Sequence, residues 1–257
     1  MKQETSAFPF DLSRAELFWL AGAFGISSLP LPDATLERLT PDQLEQRQKA
    51  GHVSLLARGL IRPSPGFGWQ VERLPAALVQ WISSASSLLR LEHISKDGSA
   101  RNLHLFTSGS QGLSLEINGE TACFIIYQTR SRLQDAIMRG LSLPSKTKKS
   151  TSVHKLPQPL AFFPTAWKDT SLAARILKEH GIDSKSAKSA LDWAVSIEWI
   201  VALSKVRIEG TGIAIAEQFA LCGDAKSMCG GRNDEQYVSF AHIATKTINA
   251  KIVKMLE

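Results

Sequence analysis

Two cysteines and a histidine near the C-terminal end could in principle hold a metal ion. Cys222 and Cys229 are seven residues apart and His242 follows, whereas a structural zinc site requires four ligands at closer spacing. The third cysteine, Cys123, lies far upstream, and an odd number of cysteines without a CxxC pair is typical of a reducing compartment. We therefore expect small buried thiols, with no metal and no cofactor.

Two short motifs resemble catalytic signatures but lack the context that the chemistry needs. Residues 145–148 fit Ser-x-x-Lys, which requires a helix that buries the lysine beside the serine. Gly210-Thr211-Gly212 supplies two glycines of a dinucleotide fingerprint, but Ile215 takes the third place and strands are expected on both sides. The sequence therefore predicts no catalytic residues and a protein that is not an enzyme.

The net charge of the chain is concentrated in one stretch. The 257 residues carry 30 Lys and Arg against 24 Asp and Glu, a formal charge of +6, which would suit a nucleic-acid partner. Residues 130–155 alone hold seven basic residues and one acidic residue, and the rest of the chain is nearly neutral. We interpret Lys146, Lys148 and Lys149 as residues that keep a linker solvated.

No segment has the pattern of a membrane anchor or a secretory signal. The longest apolar run, residues 18–26, is far shorter than the roughly 20 residues that cross a bilayer. Residues 1–4 open no apolar stretch. Since 44% of the residues are apolar, the chain can bury a core, and we expect a globular, cytoplasmic protein without membrane insertion.

The first half of the chain, residues 1–143, is expected to begin with helices and continue as strands. Helices are predicted within residues 13–85, and Ser13 and Thr40 have the side chains and following sequence of helix N-caps. The first 85 residues include no predicted strand. Alternating apolar residues separated by turn residues predict an antiparallel meander of about four strands over residues 88–128.

A helix at residues 130–142 completes the first half, and a linker follows. Residues 144–159 are rich in Ser, Thr and Lys without periodicity, which predicts an exposed linker. The second half, residues 160–257, repeats the plan of helices, strands and a terminal helix, and its polar, glycine-containing segment before residue 237 is expected to be a loop.

Residues 118–141 match residues 233–256 at a constant offset of 115 residues, which suggests an internal duplication. The apolar residues Leu133, Ile137 and Leu141 recur in the last helix as Ile248, Ile252 and Leu256. The sequence thus predicts an α+β fold with pseudo-twofold duplicated halves and a central, largely antiparallel sheet flanked by helices. We expect residues 1–257 to form a single composite domain.

Five passages in a fixed order carry a family resemblance. They are Ala-Glu-Leu-Phe-Trp at 15–19, Ser-Leu-Pro-Leu-Pro at 28–32, the helix end at 56–61, the helix-to-strand passage at 78–94, and Gly231-Arg232 before the last strand and helix. Together they resemble the EspG family, the cytosolic chaperones of type VII (ESX) secretion. The segment 225–230 lacks the Asp-Thr-Pro usual before that Gly-Arg, and the chain is basic where family members are commonly acidic.

The EspG resemblance implies a role in protein export. It implies a non-enzymatic chaperone or adaptor that binds the apolar helical tip of a PPE-like secretion substrate and keeps it soluble for type VII export. Aromatic side chains anchor contacts of this kind. Trp199, Phe219 and Tyr237 lie in the strands of the second half and are the candidate partner-binding residues, although aromatic residues at such positions also build cores.

A winged helix-turn-helix is the alternative prediction. Two helices followed by residues 55–61 and a Gly/Pro turn to Trp69-Gln70-Val71 resemble the end of such a DNA-binding, regulatory module. Residues 1–85, however, carry eight basic and eight acidic residues. A segment with this balance lacks the excess positive charge that DNA-binding proteins use to bind phosphates. Nucleic acid is therefore the disfavoured partner. A structural protein with another role is the third possibility.

Overall fold

The computed structural model describes most of the chain. The described residues are 7–26, 29, 40–66, 68–85, 87–95, 97, 99–141, 143, 153–157, 169–182, 185, 188–189, 192–193, 196–209, 212–224, 227–234 and 237–256.

The helices and strands of the described residues follow the predicted α+β order. The strands are β1 Ala7–Ser13, β2 Ile61–Pro63, β3 Trp69–Val71, β4 Ser87–Ser95, β5 Ala100–Ser108, β6 Gln111–Asn118, β7 Thr121–Tyr127, β8 His154–Pro157, β9 Trp199–Glu209, β10 Gly212–Gly223, β11 Met228–Asp234 and β12 Tyr237–His242. The helices are α1 Arg14–Ala23, α2 Pro41–Ala57, α3 Arg73–Ser84, α4 Arg130–Gly140, α5 Thr170–Glu179 and α6 Thr245–Leu256.

A large antiparallel sheet of ten strands confirms the predicted fold class. Its strand order is β1-β7-β6-β5-β4-β9-β10-β11-β12-β8, and β2 and β3 form a separate pair. The predicted four-strand meander is confirmed as β4 to β7, which are neighbours in this order. The two ends of the sheet have the same pattern of strand order. Inward from β1 the strands are β7, β6, β5 and β4, and inward from β8 they are β12, β11, β10 and β9. The offset of 115 residues also relates α4 to α6 and β7 to β12; the duplication itself stays a prediction.

Three predictions about individual segments are wrong. The helical assignment of residues 13–85 left out the preceding strand β1, which pairs with β7 from Ala7 to Ser13, and the strand pair β2–β3 within that range. The predicted linker 144–159 contains β8, which pairs with β12 and buries Leu156; residues 144–152 and 158–159 lie outside the described residues. The predicted loop before residue 237 contains β11. Strand β8 has only four residues and β11 contains two consecutive glycines, so neither shows the alternation on which strand prediction depends. Strand β1 contains Pro9, a residue type that is depleted in strands.

Both predicted helix starts in the first half are confirmed. Ser13 caps α1, since its hydroxyl accepts a hydrogen bond from the backbone N–H of Glu16 at 3.1 Å and the Glu16 carboxylate accepts one from Ser13 N at 2.7 Å. Thr40 and Gln43 form the same reciprocal pair at the start of α2. These two boundaries fix where α1 and α2 begin.

The chain divides into two compact, interleaved units. Unit 1 comprises residues 1–88, 104–133 and 207–214, and unit 2 comprises residues 89–103, 134–206 and 215–257. The predicted composite domain, with halves at 1–143 and 160–257, stays a prediction.

In unit 1, α1 and α2 are locked together by a buried carboxylate and a glycine. Glu16 is 1% exposed and accepts hydrogen bonds from Ser54 Oγ at 2.8 Å and Arg58 Nη1 at 2.7 Å. Gly51 lies so close to α1 that a Cβ atom there would approach Ala15 O to 2.2 Å. The core of the unit also includes the buried apolar residues Leu12, Leu20, Leu55 and Phe124.

In unit 2, a hydrophobic core lies between one sheet face and α5. Its buried members are Leu156, Ala173, Leu177, Ile197, Ile200, Ala220, Cys222, Cys229, Val238 and Phe240. Two consecutive glycines of β11 make room for neighbouring side chains. A Cβ atom at Gly231 would lie 2.7 Å from Val238 Cγ1, and one at Gly230 would lie 2.8 Å from Ile243 Cδ1.

None of the described helices combines the length and apolar character required to cross a membrane.

Candidate partner-binding surfaces

Trp199, at the start of β9, is half-buried against the end of β10. A Cβ atom at Gly223 would lie 2.8 Å from Trp199 Cζ2, so the indole ring covers this glycine. The backbone N–H of Glu198 donates to Gly223 O at 2.9 Å and fixes the two strands at this point. Trp199 therefore combines a packed edge with a remaining exposed surface.

Phe219, on β10, is half-buried between β11 and α6. Its ring lies beside Gly230, where a Cβ atom would approach Phe219 Cζ to 3.2 Å. Lys251 Nζ stands 5.8 Å from the ring centroid, within the range of a cation–π contact. Every second residue of a strand points to the same sheet face, so residues 219, 221 and 223 share one face. Because Trp199 covers Gly223, Phe219 and Trp199 lie on the same face of the sheet.

Tyr237, the first residue of β12, is engaged with α5. Its hydroxyl donates to the backbone oxygen of His180 at 2.9 Å, and the two rings are 6.4 Å apart in an edge-on arrangement. The three candidate residues thus contact different neighbours: Trp199 contacts the end of β10, Phe219 contacts β11 and α6, and Tyr237 contacts His180. The hydroxyl of Tyr237 already has a hydrogen-bond partner.

A charged cluster borders Phe219 on β10 and α6. Glu217 pairs with Lys251, and hydrogen bonding to this lysine lowers the pKa of Glu217 below its ordinary value. Lys254 and Lys205 act on the same carboxylate through their positive charges. Three lysines around one glutamate give this part of unit 2 a positive character.

Ile215 is the residue that sequence reasoning missed. It lies on β10 two positions before Glu217, on the face of Phe219, and is 61% exposed. In the sequence, Ile215 is one of several apolar residues in a predicted strand. This pattern favours a buried side chain and gives no indication of an exposed one. Ile215 and Phe219 share this face with Glu217 between them, about 13 Å apart at the rise of a strand.

Cys222 and Cys229 confirm the expectation of buried thiols. They are register partners in β10 and β11, and both are buried. Burial raises the pKa of each thiol above its ordinary value, most strongly for Cys222. Cys123 is half-buried. Within the described residues, no group of three or more His, Cys, Asp and Glu side chains is arranged to hold a metal ion.

The winged arrangement of the alternative prediction is present, because β2 and β3 form an antiparallel pair directly after α2. The cations on these elements nevertheless have partners within the chain. Lys49 pairs with Glu45 at 2.7 Å, Arg58 with Glu16, and Arg62 donates to Gln70 Oε1 at 3.0 Å. The Arg47 guanidinium lies 5.7 Å from the Phe18 ring centroid.

Lys49 and Arg62 are 74% and 62% exposed, and exposed ion pairs are weak. The electrostatic argument against a DNA reader therefore depends on the equal numbers of basic and acidic residues in residues 1–85.

The described chain is an α+β protein built on a large antiparallel sheet, and this fold is EspG-like. A solved structure of the Mycobacterium tuberculosis type VII secretion system chaperone EspG5, in complex with a PE25–PPE41 dimer, matches 97% of this chain and 96% of that chain. The TM-score is 0.60 and the sequence identity is 11%. No protein-family model and no curated protein sequence matches the chain. The resemblance found in the sequence is confirmed at the level of the fold.

Proposed function

We propose that this protein is a non-enzymatic, cytoplasmic chaperone of a type VII secretion pathway. It binds the apolar helical tip of a PPE-like substrate and keeps that substrate soluble until export. The observation that carries the proposal is the fold: nearly the whole chain superimposes on nearly the whole of EspG5, whose structure contains a PE25–PPE41 dimer.

The docking surface that we propose is the part of unit 2 around Phe219. Phe219 and Trp199 present half-exposed rings on one sheet face, and the proposed surface also includes the exposed Ile215, which lies beyond Glu217 on the face of Phe219. Tyr237 belongs to the proposed set at its margin, because its hydroxyl is held by His180. Aromatic anchors surrounded by charged groups are typical of protein interfaces.

The positive character of the surface suits one particular end of a helix. Lys205, Lys251 and Lys254 surround the single carboxylate of Glu217. The C-terminal end of a helix carries partial negative charge, and a helical tip that presents this end, or carboxylate side chains, would complement the lysines. The helical tip would therefore bind with its C-terminal end, or with its carboxylate side chains, beside the three lysines.

Co-production with a PPE-like protein encoded in the same genome tests the proposal. We expect a soluble complex that elutes as one species in size-exclusion chromatography with light scattering, and a PPE-like protein that precipitates when produced alone. The Ile215→Ser variant should weaken the complex at least about tenfold in a binding titration.

Val153→Ser is the matched control for this substitution. Val153 is 59% exposed and also belongs to unit 2, but it precedes β8 rather than lying on β10. The Val153→Ser variant should bind the PPE-like protein as tightly as the unaltered chain does. Absence of any complex with the PPE-like protein would reject the function, whereas equal loss in both variants would reject the surface.

A further inference from the structure

Two cysteines of unit 2 lie directly opposite each other in the sheet. Cys222 on β10 is the register partner of Cys229 on β11. Register partners of two antiparallel strands point to the same sheet face, so the two thiols are cross-strand neighbours. Both side chains belong to the hydrophobic core between this face and α5.

The spacing of the two cysteines is suited to a disulfide. Directly opposed residues of an antiparallel ladder have Cα atoms about 4.5 to 5.5 Å apart, and disulfides connect Cα atoms that are roughly 4.4 to 6.8 Å apart. Both thiols are free in the structure. A bond between them therefore requires only a small approach of two side chains, without a change in the register of β10 and β11.

The third cysteine has no such neighbour. Cys123 on β7 has Asp11 of β1 and Glu116 of β6 as its register partners, and it belongs to unit 1. Among the three cysteines of the chain, the sheet register therefore places only Cys222 and Cys229 side by side. Cys123 serves as an internal reference for an unpaired thiol.

The two paired thiols differ in their access to solvent. Cys222 is fully buried, whereas Cys229 is 8% exposed, so Cys229 is the first of the two that a small solute reaches. Burial raises the pKa of both thiols, which keeps them protonated and slow to react. In a reducing compartment such thiols stay free until the concentration of oxidant rises.

We propose that Cys222 and Cys229 form a redox-sensitive pair, which closes into a reversible disulfide when the chain is exposed to hydrogen peroxide. In the first step the Cys229 sulfur takes one oxygen from the peroxide, which gives a sulfenic acid and one water molecule. In the second step the Cys222 sulfur attacks the sulfenic sulfur, and the hydroxyl group leaves with the Cys222 proton as water. Two thiols and one peroxide become one disulfide and two water molecules, and the two electrons lost by sulfur reduce the peroxide.

The disulfide joins β10 to β11 beneath the β10 surface, our name for the proposed docking surface of Phe219, Trp199 and Ile215. Side chains alternate along a strand, so residue 222 lies on the face opposite to residue 219. The bond therefore restrains the β10–β11 hairpin from the core side and leaves the docking surface open. The redox pair does not depend on the proposed function.

Thiol counting on the full chain tests the proposal. The reduced chain is treated with hydrogen peroxide, the excess is removed with catalase, and the chain is unfolded and alkylated with N-ethylmaleimide. Mass spectrometry should show one maleimide adduct in place of the three expected from the sequence, and three again after treatment with dithiothreitol. Trypsin cleaves after Lys226, between the two cysteines, so the disulfide should appear as two linked peptides.

Cysteine variants make the test specific. Cys123→Ser should form the disulfide as readily as the unaltered chain, whereas Cys222→Ala should form none. Cys229→Ala should also form none, and it replaces Cys222→Ala if that variant does not fold. Circular dichroism checks the fold of each variant. Because the loop between the two cysteines is short, the disulfide adds little stability, and thiol chemistry is the appropriate measurement.

Three outcomes would overturn the proposal. They are three maleimide adducts after peroxide treatment, oxidation of Cys229 to a sulfinic or sulfonic acid without a disulfide, or linked peptides that contain Cys123 as often as those from a chain oxidised in urea. The last result would mean that the register of β10 and β11 does not select the pair. Since the chain is tested alone, absence of a complex with a PPE-like protein would reject the proposed function and leave the redox pair standing.

Discussion

The β10 surface and the outward side of α2 expose apolar side chains in different ways. Around β10, Phe219 and Trp199 are half-buried. The Phe219 ring packs against Gly230, and the Trp199 ring packs against Gly223. On the outward side of α2, Val53 and Leu56 are 64% and 44% exposed, and Trp69 on β3 is 40% exposed. The β10 surface is flanked by lysines, whereas Lys49 on α2 is paired with Glu45.

This difference shows that the type of residue alone does not identify a docking surface. Aromatic residues in strands attract attention in a sequence, yet most of their area is needed for packing. Exposed aliphatic residues such as Val53, Leu56 and Ile215 look like ordinary core residues in the sequence. Their exposure becomes visible only when the neighbouring elements are in place.

Two glycines, one beneath each surface, give the largest expected difference. Gly51→Ala should destabilise unit 1 by about 3 kcal/mol, because its Cβ would meet the backbone oxygen of Ala15 at 2.2 Å. Gly230→Ala in unit 2 should cost about 1 kcal/mol, since its contacts are the ends of the Ile243 and Phe219 side chains. Urea unfolding of the variants measures both free energies.

Gly22→Ala is the control for the first substitution. Gly22 lies in α1 and a Cβ there would contact only Gln48 Nε2 at 3.6 Å. Alanine should therefore stabilise the protein by up to about 1 kcal/mol, as expected for a helix. A stabilising Gly51→Ala substitution would show that α1 and α2 are not in close contact.

The buried carboxylate of Glu16, which joins α1 to α2, should give the next largest effect. Glu16→Gln removes the charge that Arg58 and two further donors share, and we expect a loss of about 2 kcal/mol in the free energy of unfolding. Glu72→Gln, which alters an exposed pair with Arg62 at 3.8 Å, should change it by less than about 0.5 kcal/mol. Equal effects in thermal or urea unfolding would contradict the role of Glu16 as a buried anchor.

The pH dependence of the β10 surface should give the smallest effect. The pKa of Glu217 is lowered in the folded chain by Lys251, so its contribution to stability is present above its ordinary pKa. That contribution is lost as the pH falls through the lowered value. Because both side chains are 30% exposed, we expect only a few tenths of a kcal/mol.

The Glu217→Gln variant isolates this contribution. Between pH 6 and pH 3, its free energy of unfolding should fall less than that of the unaltered chain, by the few tenths of a kcal/mol attributed to Glu217. A steeper decline for Glu217→Gln would have the wrong sign for a lowered carboxylate pKa.

Local sequence signals predicted the regular elements of this fold. The capping residues Ser13 and Thr40 determined two helix starts, and the alternation from residue 88 determined the meander, because these signals depend on nearby residues. Strand β8 could not be predicted, since its four residues become a strand only through pairing with β12. Strand β11 was concealed by Gly230 and Gly231, which are glycines because neighbouring side chains occupy their space.

The candidate surfaces were predicted less completely than the fold. Phe219 and Trp199 retain exposed area at positions chosen from strand pattern and residue type, but their role in binding stays a prediction. A pocket lined by Trp19, His52 and Trp69 joins residues from two helices and a hairpin. No local pattern in the sequence brings such residues together, because their proximity depends on how α1, α2 and β3 pack.

Hydrogen exchange of the chain, free and in complex with a PPE-like protein from the same genome, tests the central claim most directly. We predict protection from exchange in peptides that cover β9 and β10, with Ile215 and Phe219 at the centre, and no change in peptides that cover α2 and β3. Protection confined to α2 and β3, or no protection anywhere in the chain, would contradict the assignment of the β10 surface to substrate binding.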